Sequence, residues 1–209
     1  VVISALIVLI PGMSLTTAVR ELSSQHLASG TARMMGAFTT LLKLAFGTVA
    51  ATQLCHLAGW IPTGIPQASV PLWTEWIAVF AGALAFAVLF GSPRRYVPVV
   101  VAAVALGYLC AQLGGFYVSP AFGVFVGGVA IGASSNVFAR VMQRPGALVR
   151  EPGIVLLVPG SVGFRTLSFV CQREVLLGLV TGVTLVTLLV AIVAGLLFGD
   201  LLVPPRRKL

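Results

Sequence analysis

Long uninterrupted apolar runs constrain this chain more than any other feature. Met34 to Leu57 and Val175 to Phe198 each exceed the roughly 20 residues needed to cross a hydrocarbon core of about 30 Å. Inside a bilayer only helices and closed barrels satisfy their own backbone, and these runs are continuous rather than alternating, so they read as helices. With 58% hydrophobic residues, 9% charged residues and a mean hydropathy of +1.07, too little polar surface remains to cover a water-soluble globule. The expected fold class is an all-α integral membrane protein with about seven transmembrane helices. The spans are Val1 to Ile10, Met34 to Leu57, Leu72 to Phe90, Tyr96 to Leu113, Tyr117 to Ala139, Ile154 to about Leu167, and Val175 to Phe198. The first lacks the basic flank and cleavage site of a signal peptide and reads as the tail of a span that begins upstream.

The formal charge of +8 is first of all a topology signal. With Arg206, Arg207 and Lys208 cytoplasmic, alternation of the spans puts Arg140, Arg144 and Arg150, then Arg94 and Arg95, then Arg20 and Arg33 on the same side. Arg165 and Arg173 fall outside. Trp60, Trp73 and Trp76 then flank outer helix ends, where indoles favour the headgroup region. No cations and aromatics interleave on one surface, so nucleic acid is not an expected partner.

Two apolar segments carry the same interruption. Aligned without gaps, Val8-Leu9-Ile10-Pro11-Gly12-Met13-Ser14 lies over Leu156-Leu157-Val158-Pro159-Gly160-Ser161-Val162, and in each copy an arginine, Arg20 or Arg165, and then a long apolar helix follow. An odd number of spans per unit turns the second copy over in the membrane, the inverted-repeat arrangement of many secondary transporters. By the charge-derived topology the first motif closes on the cytoplasmic side and the second near the outer side. Proline lacks an amide hydrogen and clashes with the preceding turn, so each pair breaks its helix and frees polar backbone groups. At membrane depth such groups persist where protein buries them or where they line a watery cavity. Ser14 and Ser161 are placed to cap new half-helices. The half-helix N-termini would then face an anionic group such as a carboxylate. A plain kink, or a loop leading into an interfacial helix, is the competing reading of either motif alone.

Little else in the sequence signals chemistry. Cys55, Cys110 and Cys171 lie singly in or beside different apolar runs, and His26 and His56 have no close-set second ligand, so no metal site and no cofactor are expected. No H-E-x-x-H, G-x-S-x-G or paired intramembrane carboxylate points to an enzyme, and no polar stripe recurs over several spans as a channel would require. Glu21, Glu75, Glu151, Glu174 and Asp200 all fall near span ends, so no acidic side chain reads as lying deep in a span. Lys43, about ten residues into its span, either snorkels to the cytoplasmic face or is functional. The glycines of "GVFVGGVAIGASSN" read as close helix packing.

The segments "LIPGMSLTTAVREL…SGTARMMGAF" and "SSNVFARVMQRPGALVREPGIVLLVPGSVGFRTL", with Asn136-x-x-Ala139-Arg140-x-x-x-Arg144-Pro145 inside the second, resemble the threonine/serine exporter family. That resemblance implies two related five-helix halves. Residues 1–60 would be the last two helices of the N-terminal repeat, 61–71 an external linker, and 72–209 the C-terminal five-helix repeat. It also implies a secondary transporter in the cell (plasma) membrane, with a cytoplasmic C-terminus, that exports threonine and serine by proton antiport; a split two-chain branch is associated with dicarboxylate export. A non-transporting structural subunit is the remaining alternative. The expected partners are a small-molecule amino-acid substrate and membrane lipid, with a homo-oligomer compatible with the sequence. Candidate substrate-binding residues are Pro11, Gly12, Ser14, Thr16, Thr17, Asn136, Pro159, Gly160 and Ser161. Asn136 reads equally as a helix-end cap. Arg20, Lys43, Arg140 and Arg165 are the charged candidates.

Overall fold

A computed structural model describes residues 6, 9–23, 25–60 and 71–204. Among them every regular element is an α-helix: α1 (Gly12–Ser23), α2 (Leu27–Leu57), α3 (Leu72–Leu89), α4 (Val97–Tyr117), α5 (Pro120–Met142), α6 (Ala147–Leu157), α7 (Gly160–Cys171) and α8 (Val175–Leu202). The expected first span, the 61–71 linker and the basic Arg206, Arg207 and Lys208 fall largely outside the described residues. Leu27–Leu57, Val97–Tyr117, Pro120–Met142, Ala147–Cys171 and Val175–Leu202 are long and apolar enough to cross a membrane, and Trp73–Leu89 is a shorter apolar helix. The chain is an all-α multi-pass membrane protein.

Local chemistry moves the helix ends away from the ends of the apolar runs. α5 starts at Pro120 because the Ser119 hydroxyl accepts the Phe122 N–H at 3.2 Å and proline occupies the first turn, where no donor is needed. α2 starts seven residues before Met34, since the polar stretch Leu27–Arg33 is helical too. Its 31 residues span about 46 Å at 1.5 Å per residue, longer than the bilayer core. The segment 147–171 breaks at Val158–Pro159, as the Pro-Gly pair predicts.

The chain forms two compact units, 1–70 with 159–186 and 71–158 with 187–209, so one boundary falls at the second Pro-Gly break. In the first unit α1 folds back on α2, and α2 also packs on α7. α2 buries one stripe, Gly30, Ala37, Leu41 and Ala45. The turn between α1 and α2 is held by an ion pair, Arg33 Nε to Glu21 Oε1 at 2.8 Å.

In the second unit Ala83, Ala87, Val100, Val101, Val104, Phe138 and Val149 make a buried cluster contributed by α3, α4, α5 and α6. Arg144 lies over the Tyr96 ring, 6.0 Å from its centroid, which gathers basic residues at the same end of α4 and α5. Glycines set the closest approaches. Gly128 and Gly132 of α5 face Gly195 and Gly199 of α8: a Cβ at Gly199 would lie 2.7 Å from the Val129 carbonyl oxygen, and one at Gly128 3.0 Å from that of Ile192. These two small-xxx-small stripes let the backbones touch, which is how helices associate where lipid removes the hydrophobic drive.

Gly199→Ala forces backbone apart from backbone and should cost about 1–3 kcal/mol, the range for overpacking. Gly47→Ala, where nothing lies within 4 Å, should cost nothing and adds helix propensity. Thermal unfolding in detergent separates the two; equal midpoints would contradict the glycine-stripe packing.

Candidate functional site

The two Pro-Gly breaks meet in the first unit. An ideal Cβ built on Gly160 would sit 3.4 Å from the Gly12 Cα and 2.7 Å from Ile10 Cγ2, so only glycine allows this approach without displacing Ile10. Each break opens a helix of 12 residues. Pro11 O accepts from Leu15 N at 3.1 Å, and Pro159 O from Gly163 N at 3.3 Å. In the first turns Gly12 N also donates to Ile10 O at 2.8 Å and Val162 N to Pro159 O at 3.0 Å, so the N–H groups left without a carbonyl in helical register are those of Met13, Ser14, Gly160 and Ser161.

The sequence match at an offset of 148 residues extends in three dimensions through the whole helix–turn–helix. Gln25 and Arg173 both take positive φ, 64° and 67°. His26 N donates to Glu21 O, and Glu174 N to Phe169 O, each at 2.9 Å; Gln25 N to Leu22 O and Arg173 N to Val170 O are each 3.1 Å. Gly30 abuts Leu22 and Gly178 abuts Val170, every residue again 148 positions from its counterpart. The first unit is thus built from two copies of one motif, α1 with α2 and α7 with the start of α8. Equivalent residues, Gly12 and Gly160, lie next to one another.

The two motifs, which the charge-derived topology sets toward opposite sides, approach each other at Gly12 and Gly160. One expectation is corrected: Ser161 does not cap its half-helix, since Pro159 holds the N-cap position with no side-chain cap bond. In the structural repeat Ser161 corresponds to Met13, and Ser14 to Val162.

Of the candidate residues, Pro11, Gly12, Ser14, Thr16, Thr17, Pro159, Gly160 and Ser161 lie in the first unit, all on or just before α1 and α7. Thr16 is buried and its hydroxyl donates to Gly12 O at 3.2 Å, while Ser14 is exposed and Thr17 and Ser161 are half-buried. Arg20 is half-buried in the last turn of α1, and Arg165 is exposed on α7. Lys43 is exposed near the middle of α2, about 24 Å from its start, opposite the buried stripe.

Asn136 and Arg140 belong to the second unit and to a different polar cluster. Asn136 Nδ2 donates to Asp200 Oδ1 and to Val203 O, both at 2.7 Å. Arg150 pairs with Asp200 through NH2 and bonds Ser135 Oγ through Nε at 3.3 Å. Arg140 donates to Pro204 O at 2.6 Å. The Asn136 amide, inside α5, therefore secures the C-terminal end of α8. With side chains only 17% and 27% exposed, Arg150 and Asp200 are largely withdrawn from solvent or lipid. Sequence reasoning missed this pair, since 50 residues separate its members; the one available signal was a lone acid near the end of the otherwise uncharged α8.

An all-helical multi-pass bundle with a span interrupted at Pro-Gly defines the class of membrane transporters with discontinuous helices. Residues 75–202 match the family described as "Threonine/Serine exporter, ThrE", and residues 1–55 match the one described as "Putative threonine/serine exporter". The chain belongs to the threonine/serine exporter family. Among curated proteins it is similar to "Pheromone-regulated membrane protein 10" of Eremothecium gossypii (strain ATCC 10895 / CBS 109.51 / FGSC 9923 / NRRL Y-1056), 27% identical over 169 residues that cover 78% of this chain and 22% of the relative. The chain thus spans about a fifth of that relative's length. No solved structure matches.

Asp200→Ala strips Arg150 of its counter-ion and Asn136 of one acceptor. It should destabilise the protein by about 1–3 kcal/mol, the cost of leaving a withdrawn polar group unpaired. Combined with Asn136→Ala, the losses should be less than additive in thermal unfolding, because the two residues share one bond. Strict additivity would contradict the shared network.

Proposed function

We propose that the full-length protein is a secondary transporter that exports threonine and serine across the plasma membrane by proton antiport. Its substrate lies where Pro11-Gly12 and Pro159-Gly160 meet. The first-turn N–H groups of Met13, Ser14, Gly160 and Ser161 and the positive dipole ends of α1 and α7 suit the substrate carboxylate. Ser14, Thr17 and Ser161 supply polar groups for its hydroxyl and ammonium. The observation that carries this reading is the contact between the equivalent Gly12 and Gly160, which brings two broken helices to one place. The basic residues gathered in the second unit, with Arg144 on Tyr96, support a cytoplasmic C-terminus.

Full-length protein in liposomes, tested with labelled threonine, serine and succinate, checks the proposal. Threonine and serine should move in response to a pH gradient; transport of succinate alone would replace this reading with dicarboxylate export. Gly160→Leu, in protein shown to be inserted, should abolish transport by filling the space beside Gly12. Ser161→Ala should weaken apparent affinity by about 1 kcal/mol, roughly fivefold. Full-rate transport by Gly160→Leu would mean that the breaks are kinks and the substrate binds elsewhere.

A further inference from the structure

Glu75, Tyr108 and Gln112 close a hydrogen-bonded ring between α3 and α4. The Tyr108 hydroxyl donates to Glu75 Oε1. Gln112 Nε2 donates to the same carboxylate oxygen at 2.7 Å and to the Tyr108 oxygen at 2.6 Å. Trp76 sets its ring edge-on against Tyr108, with centroids 6.0 Å apart. Glu75 and Gln112 are exposed and Tyr108 is half-buried, so the ring faces away from the buried cluster of the second unit.

Position along the chain puts Glu75 in the first turn of α3, as if at a membrane edge, but its partners lie deeper. Tyr108 is near the middle of α4, about 16 Å from its start and about 14 Å from its end, and Gln112 is about 8 Å from that end. The Glu75 carboxylate is thus held about one to two turns in from the adjoining ends of α3 and α4. Acidic side chains within the apolar helices of a membrane protein are rare, and where they occur they mark ion or proton paths.

The ring is built to hold both forms of the carboxyl group. Oε1 takes both donors, while Oε2 takes no part in the ring. A proton arriving at Oε2 removes the charge and breaks none of the three bonds. α4 supplies the titratable Tyr108 to this site. α6, also packed on α3, carries Arg150 and Glu151 beside Val149, which clusters with Ala83 and Ala87 toward the opposite end of α3. Resting on the antiport reading above, we propose that Glu75 carries the coupled proton, with Tyr108 and Gln112 as its positioning residues. The proton binds at Oε2 from water on one side and leaves from the same atom to the other side as the transporter turns over.

A purely structural ring makes a different forecast, because glutamine at position 75 can accept the same two bonds. The test uses full-length protein in liposomes with two readouts: exchange of labelled threonine without a pH gradient, and threonine accumulation driven by one. Glu75→Gln should keep exchange near the wild-type rate and lose gradient-driven accumulation, and Glu75→Asp should recover part of it. Tyr108→Phe should reduce accumulation more than exchange. Wild-type accumulation by Glu75→Gln, or loss of its exchange as well, would overturn the assignment. A wild-type protein that exchanges threonine but ignores the pH gradient would instead overturn the antiport reading itself.

Discussion

The close approach of Gly12 to Gly160 is the constraint on which the first unit depends. A proline at membrane depth frees backbone groups that lipid cannot satisfy, so a break is tolerated only where protein or a watery space receives it. Two breaks set against each other share one such place. Glycine after each proline brings the chains close enough to share it, because a Cβ at Gly160 would drive into Ile10. The rest of the unit follows from that contact: two 12-residue helices leave the breaks, each turns through a residue with positive φ, and each returns as a long apolar helix.

The second unit solves a different problem with different means. Its helices have no hydrophobic drive to associate in lipid, so α5 and α8 meet through facing glycine stripes. Its withdrawn Asp200 answers Arg150 and the neutral Asn136 amide at one end of α8. Glu75 stands apart, held by neutral donors alone in its ring, which is the physical ground for giving it a task beyond packing.

The helices and their breaks were legible because length, apolarity and proline act locally. Pro159 ends α6 wherever the rest of the chain lies, and Ser119 with Pro120 starts α5 in the same way. The glycine-rich segment around Gly128 and Gly132 was also readable as a packing surface. What escaped depended on partnership across the chain. Arg150 and Asp200 are 50 residues apart and nothing in their spacing announces a bond. Glu75 is a helix-end residue in the structure as in the sequence, and only α4 laid beside α3 reveals Tyr108 against it. Both serines follow a Pro-Gly pair, but the gap-free alignment already sets them one position out of register, and the structural repeat keeps that offset.

Proximity of the two breaks is measured most directly by cross-linking in the membrane. The full-length protein, with Cys55, Cys110 and Cys171 replaced by serine and a protease site inserted between residues 61 and 70, would carry Ile10→Cys and Gly160→Cys together. Oxidation should join the two cysteines, so that the cleaved protein runs as one band without reductant and as two with it. Two bands under both conditions, in protein whose cysteines each react singly with a small thiol reagent, would show that the breaks stand apart and would contradict the shared site.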